Sequence, residues 1–107
     1  MMADEKVMVF ANREMRDELN LTVRRGVKWD GVKGIIATSS TDKYYEGRIL
    51  VQYTQVLRFC DIPAGDLRYE HDEQCRTIGG LYNVMNKVYN EFGMEEIVTL
   101  VWFTEAK

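Results

Sequence analysis

The sequence holds 107 residues, 46% of them apolar and 29% charged, a balance that fits one soluble globular domain and excludes a disordered, fibrous or two-domain chain. A formal net charge of −3 argues against a general polyanion binder held by counterion release. Two cysteines are too few for a secreted disulfide framework, no signal peptide opens the chain, and the longest apolar run, Ile97 to Phe103, falls far short of the ~20 residues of a membrane span, so a cytoplasmic location is the expectation.

Lys6 to Phe10 (KVMVF) reads as a β-strand. Asn12 then stands where it can cap a short helix through REMRDEL, in which Met15 and Leu19 share one helical face. From Asn20 to Arg24 (NLTVR) apolar and polar residues alternate. A strand here turns Leu21 and Val23 to one face and Thr22 and Arg24 to the other. The glycine-punctuated segment 25–34 (RGVKWDGVKG) reads as a loop, followed by a strand from Ile35 to Thr38 and a turn through SSTD. Between Arg13 and Lys33 six basic residues face four acidic ones, a local net charge of +2 against −5 elsewhere, which can steer an anionic ligand toward this third of the molecule.

Tyr44 to Phe59 is the longest strand signal. Ile49, Val51 and Tyr53 share one parity before Val56 and Leu57 fall adjacent, which predicts a bulge around Thr54 and Gln55. Asp61 to Leu67 reads as a turn, with Cys60 buried at the strand end. Arg68 to Arg76 (RYEHDEQCR) is polar enough to be a surface connection without core, leaving His71 and Cys75 exposed. Thr77 looks like the N-cap of a helix in which Ile78, Leu81, Met85, Val88, Tyr89 and Phe92 recur at three- and four-residue steps, ended by Gly93. Ile97 to Phe103 is apolar on both parities and reads as a strand buried on both faces. The predicted order is β-α-β-β-β-α-β, an α+β fold built as a small mixed barrel or sheet with one long helix.

Cys60, His71 and Cys75 match no compact zinc spacing, and neither Ser39 nor Ser40 lies in the turn of a serine hydrolase, so no metal or other cofactor is expected. Gly79 and Gly80, in the first turn of the predicted helix, either open its N–H groups to an anion or let it pack closely. Thr22 and Arg24 set a hydroxyl beside a guanidinium, a pair able to orient a substrate or stabilise an oxyanion. Arg25, Lys28 and Trp29 follow on and just after the same strand, where the large indole can plug a barrel mouth.

The segments LTVRR at 21–25, EGRILVQYTQVLRFCDIP at 46–63, HDEQ at 71–74, TIGGLYNVMNKVY at 77–89 and IVTLVWF at 97–103 together resemble the ASCH domain. That family has a small PUA-like β-barrel similar to RNA-binding PUA modules and includes compact bacterial acetylcytidine amidohydrolases. The resemblance implies binding of RNA or a nucleoside or nucleotide in a basic, aromatic-lined cleft of Arg24, Arg25, Lys28 and Trp29. Its enzymatic alternative, hydrolysis of an acylated nucleoside such as acetylcytidine, would make Thr22 the nucleophile and Glu73 an acid/base, with Arg24 orienting the substrate. The family's lysine, three residues before the threonine, falls on Leu19, which accepts no proton. Lys28 or Lys33 would have to reach the cleft instead. Binding is therefore the first expectation and hydrolysis the second. A third is an adaptor or inhibitor that anchors a protein through Tyr44 and Tyr45. No membrane partner is expected, and the oligomeric state is left open.

Overall fold

The β-branched and aromatic runs of the chain become strands, and the single long three-and-four-residue periodicity becomes a helix. The computed structural model describes residues 7–12, 14–41 and 46–106. Within them lie β1 (Val7–Phe10), β2 (Asn20–Arg25), β3 (Gly34–Ser40), β4 (Glu46–Arg58), β5 (Ile97–Glu105) and the helix α1 (Ile78–Val88). Short 3₁₀ turns at Phe59–Asp61, Ala64–Tyr69 and Glu73–Cys75 carry the chain from β4 to α1. The strands join in the order β1-β3-β4-β5-β2. β1 runs parallel to β3 and the other pairs are antiparallel, an α+β fold with one mixed sheet that curls into a half barrel. Arg24 on one edge strand donates from Nη1 to the Val9 carbonyl on the other at 2.6 Å, so a guanidinium ties the two edges of the curl together. Among the described residues no helix is long and apolar enough to cross a membrane.

β5 is buried from Val98 to Phe103 without interruption, as its doubly apolar pattern requires. Val98, Leu100 and Trp102 pack with Leu21, Val23, Leu81 and Met85 on the α1 side, while Val101 and Phe103 pack with Met8, Phe10, Trp29, Ile49 and Val51 inside the curl. The sheet thus has a core on each face. β4 serves both because its register with β5 shifts between Val51 and Tyr53, leaving Gln52 as the extra residue. That bulge lies earlier than Thr54 and Gln55, and it separates Tyr53 from the parity of Ile49 and Val51. Tyr53 stacks on Trp102 at 5.6 Å on the α1 side instead.

Further expectations are corrected. The predicted helix after Asn12 is absent from residues 14–19, its first residue, Arg13, lying outside the described residues. Asn12 Oδ1 accepts from the Glu14 N–H in a local turn. The buried Asn20 amide accepts from the Arg16 N–H and donates to the Arg16 and Glu18 carbonyls, drawing off the groups a helix would use. Met15 and Leu19 then go to different cores. α1 ends at Val88 rather than at Gly93: Tyr89 is extended, and the left-handed residue beyond it is Glu91 at φ 54°. Val88, expected in the core, is 58% exposed. Cys60 is exposed while His71 and Cys75 are buried, the reverse of their expected placement. Ser39 and Ser40, expected to open the SSTD turn, instead extend β3, and after Thr41 the residues 42–45, Tyr44 and Tyr45 among them, lie outside the described residues.

Thr77 caps α1 as expected, its Oγ1 accepting from the Gly80 N–H at 3.0 Å. A Cβ on Gly80 would meet the Gln74 carbonyl oxygen. That glycine lets the first helical turn close onto Glu73–Cys75, and its N–H is occupied by the cap, so close packing rather than anion binding accounts for it.

Candidate functional site

β2 is an edge strand, and its alternation does what the sequence implies: Leu21 and Val23 enter the α1-side core while Thr22 and Arg24 turn into the curl. Its outer edge is only partly covered. The His71 N–H donates to the Leu21 carbonyl at 3.1 Å, and the Arg25 N–H reaches the Tyr89 hydroxyl at 3.4 Å. Val23 shares the parity of Leu21 and Arg25, so its N–H and C=O also point away from β5. They have no protein partner among the described residues.

A cavity of about 300 Å³ opens at that gap. Leu81, Val84, Met85 and Val88 of α1 form one wall and Val9, Phe10 and Ala11 the other, with Thr22, Val23 and Arg24 between them and Glu70, His71 and Asp72 at the base. Thr22 is buried and its Oγ1 accepts from Arg24 Nε at 3.2 Å. The Arg24 guanidinium also lies over the Phe10 ring, 4.6 Å from its centroid. Burial lowers the affinity of Arg24 for its proton, yet a guanidinium stays charged at any ordinary pH.

Glu70 and His71 are 2% and 7% exposed. His71 Nδ1 faces the Glu14 carbonyl at 3.1 Å, and a carbonyl only accepts, so Nδ1 carries a proton. Nε2 lies 3.3 Å from Glu70 Oε1. Two lone pairs facing each other there repel, which favours keeping one shared proton between the two groups. Burial pushes the Glu70 carboxyl up to about 8 and pulls the His71 imidazole down to about 4, so at neutral pH the proton sits on Glu70 and both groups are uncharged. Glu70 Oε1 also accepts from the Asp72 N–H at 3.2 Å. Cys75, at the same base, keeps its thiol proton because burial and the nearby Glu70 and Asp72 carboxyls push it up.

Of the catalytic and ligand-binding candidates read from the sequence, Thr22 and Arg24 line this cavity, and Glu73, Arg25, Lys28 and Trp29 do not. Glu73 is exposed in its 3₁₀ turn. Arg25 pairs with Glu96 at 2.7 Å and donates to the Asn90 carbonyl. Trp29 is buried inside the curl, with Lys28 Nζ 5.4 Å from its ring centroid. Lys33 is exposed, and Leu19 packs against the α1-side core. No lysine lines the cavity among the described residues, and among them no group of three or more His, Cys, Asp or Glu is arranged so that it could hold a metal ion. Sequence reasoning missed Glu70 and His71 as site residues. Their adjacency in a polar run was the only signal. Comparison with protein-family models, curated proteins and solved structures found no match.

Proposed function

We propose that this chain is a binding module of the ASCH type, with a PUA-like architecture, whose β2 cavity takes one nucleobase as the free base or in a nucleoside. The observation that carries the reading is the open edge at Val23. It offers an N–H donor and a C=O acceptor side by side between apolar walls, and a planar ring with a lactam or amidine edge satisfies both at once. Thr22 and Arg24 add polar contacts at one end, and a volume of about 300 Å³ suits a base and part of a sugar better than a strand of RNA. Arg25 and Trp29, held by Glu96 and the inner core, lend no support to a stacked RNA surface.

The test is calorimetric titration with cytidine, uridine, adenosine and guanosine. At least one binds, and Thr22→Ala weakens it by about 2- to 10-fold, the net worth of one hydrogen bond. No binding by any of the four overturns the proposal.

One feature favours a second reading, hydrolysis of an acylated nucleoside: a carboxyl raised to about 8 in a cavity with a hydroxyl and a guanidinium has the character of a general acid. Glu70, not Glu73, would then hold the acid role. Steady acetate release from acetylcytidine, abolished by Thr22→Ala, would establish it over simple binding.

A further inference from the structure

We infer that the ring bound at β2 is an anion, carrying one carboxylate that ion-pairs with Arg24 beside Thr22. This rests on the reading of the cavity as a base-sized site and adds the charge of its occupant.

A half-buried cation such as Arg24 is stabilised best by an opposite charge or a full set of hydrogen bonds. Arg24 has neither. Its Nε donates to Thr22 Oγ1 and its Nη1 to the Val9 carbonyl, which occupies two of five N–H groups. Among the described residues no carboxylate lies within ion-pair distance of it. Glu70, the nearest candidate to neutralise it, is engaged otherwise: below its titration its Oε1 holds the proton it shares with His71 Nε2. The remaining charged and titratable groups at the base are also turned elsewhere. Asp72 Oδ1 accepts from the Gln74 N–H, Arg76 Nε donates to the Glu70 carbonyl, the Tyr89 hydroxyl accepts from the Arg25 N–H, and Cys75 is a thiol. Arg24 is the only cation among the described residues that line the cavity, and none of the carboxyl groups there pairs with it. A carboxylate matches the planar guanidinium fork, and the apolar lining that includes Leu81, Val84, Met85 and Val88 gives a flat ring behind it apolar surroundings.

The same arrangement makes the charge preference pH-dependent. Once Glu70 loses the shared proton it supplies the missing negative charge itself and repels an anionic ligand. The loss falls near pH 8.

Nicotinate and nicotinamide separate charge from shape, since they share ring and size. In titrations of the full chain at pH 6.5, nicotinate binds about tenfold or more tighter than nicotinamide. At pH 9 that preference shrinks in the native protein and persists in Glu70→Gln, whose amide can still donate to His71 but cannot ionise. Arg24→Gln, shown folded by its unfolding transition, loses the preference. Equal affinities for the two probes, with a neutral nucleoside still bound, overturn the anion inference and leave the binding reading intact. Failure of the probes and of all four nucleosides overturns both. A preference that survives Arg24→Gln, or that falls alike in native protein and Glu70→Gln at pH 9, also overturns it. Should Arg24→Gln not fold, the Glu70→Gln comparison decides.

Discussion

Helix α1 and the connection from Arg68 to Arg76 lie against each other at the cavity, yet they were folded into the molecule by opposite means. In α1 the apolar residues Leu81 and Met85 fall on one face by helical spacing alone, and that face is buried. In the connection, a nearly all-polar run buries Glu70, His71 and Cys75. Burial there is stabilised by partners supplied from elsewhere: the Leu21 carbonyl for the His71 N–H, the Glu14 carbonyl for Nδ1, and each side chain for the other. Hydropathy reports burial only where a segment's own side chains drive it. A satisfied polar cluster is invisible to it, because its satisfaction comes from residues some 50 positions away.

The largest expected effect comes from α1. Met85→Ala removes a buried side chain of the core and destabilises by ~2–5 kcal/mol in urea unfolding; a loss near zero would mean that the helix face contributes no more than the polar connection.

The pH dependence of stability probes the other region. Glu70 binds its proton more tightly folded, at about 8, than at its ordinary 4.5, so its contribution is full below pH 4.5 and is lost as pH rises through 8. His71 binds its proton less tightly folded, at about 4 against 6.5, so its contribution is full above pH 6.5 and is lost as pH falls through 4. Between pH 4.5 and 6.5 the two slopes cancel. Stability from this pair is therefore flat across that window and falls on either side, by ~2 kcal/mol between pH 6.5 and 8 at ~1.4 kcal/mol per pH unit. Urea midpoints at pH 4, 5.5 and 8.5 measure it, and Glu70→Gln should erase the alkaline decline. A midpoint that rises from pH 5.5 to 8.5 would show that Glu70 is ionised in the fold.

The smallest effect sharpens the boundary between the regions. Val88 continues the periodicity of α1 but stands mostly in solvent at the cavity mouth, so Val88→Ala should shift stability by less than ~0.5 kcal/mol. A cost comparable to that of Met85→Ala would return Val88 to the core.

What the sequence determined by itself is what depends on neighbours a few residues apart. The Thr77 cap, the α1 face, the doubly buried β5 and the β2 parity that sends Thr22 and Arg24 to one side all follow from local spacing and survive in the fold. Tertiary structure alone decided what depends on distant partners. Asn20 cancelled the helix expected at 13–19, Gln52 moved the bulge and sent Tyr53 to the other face, and the return of the chain at Glu70 and His71 built the floor of the cavity. Even the half barrel is of this kind, since Arg24 on one edge bonds to the Val9 carbonyl on the other across 15 positions. A periodic pattern records which way a side chain faces, but not what it meets, because the group it meets is placed by folding of the rest of the chain.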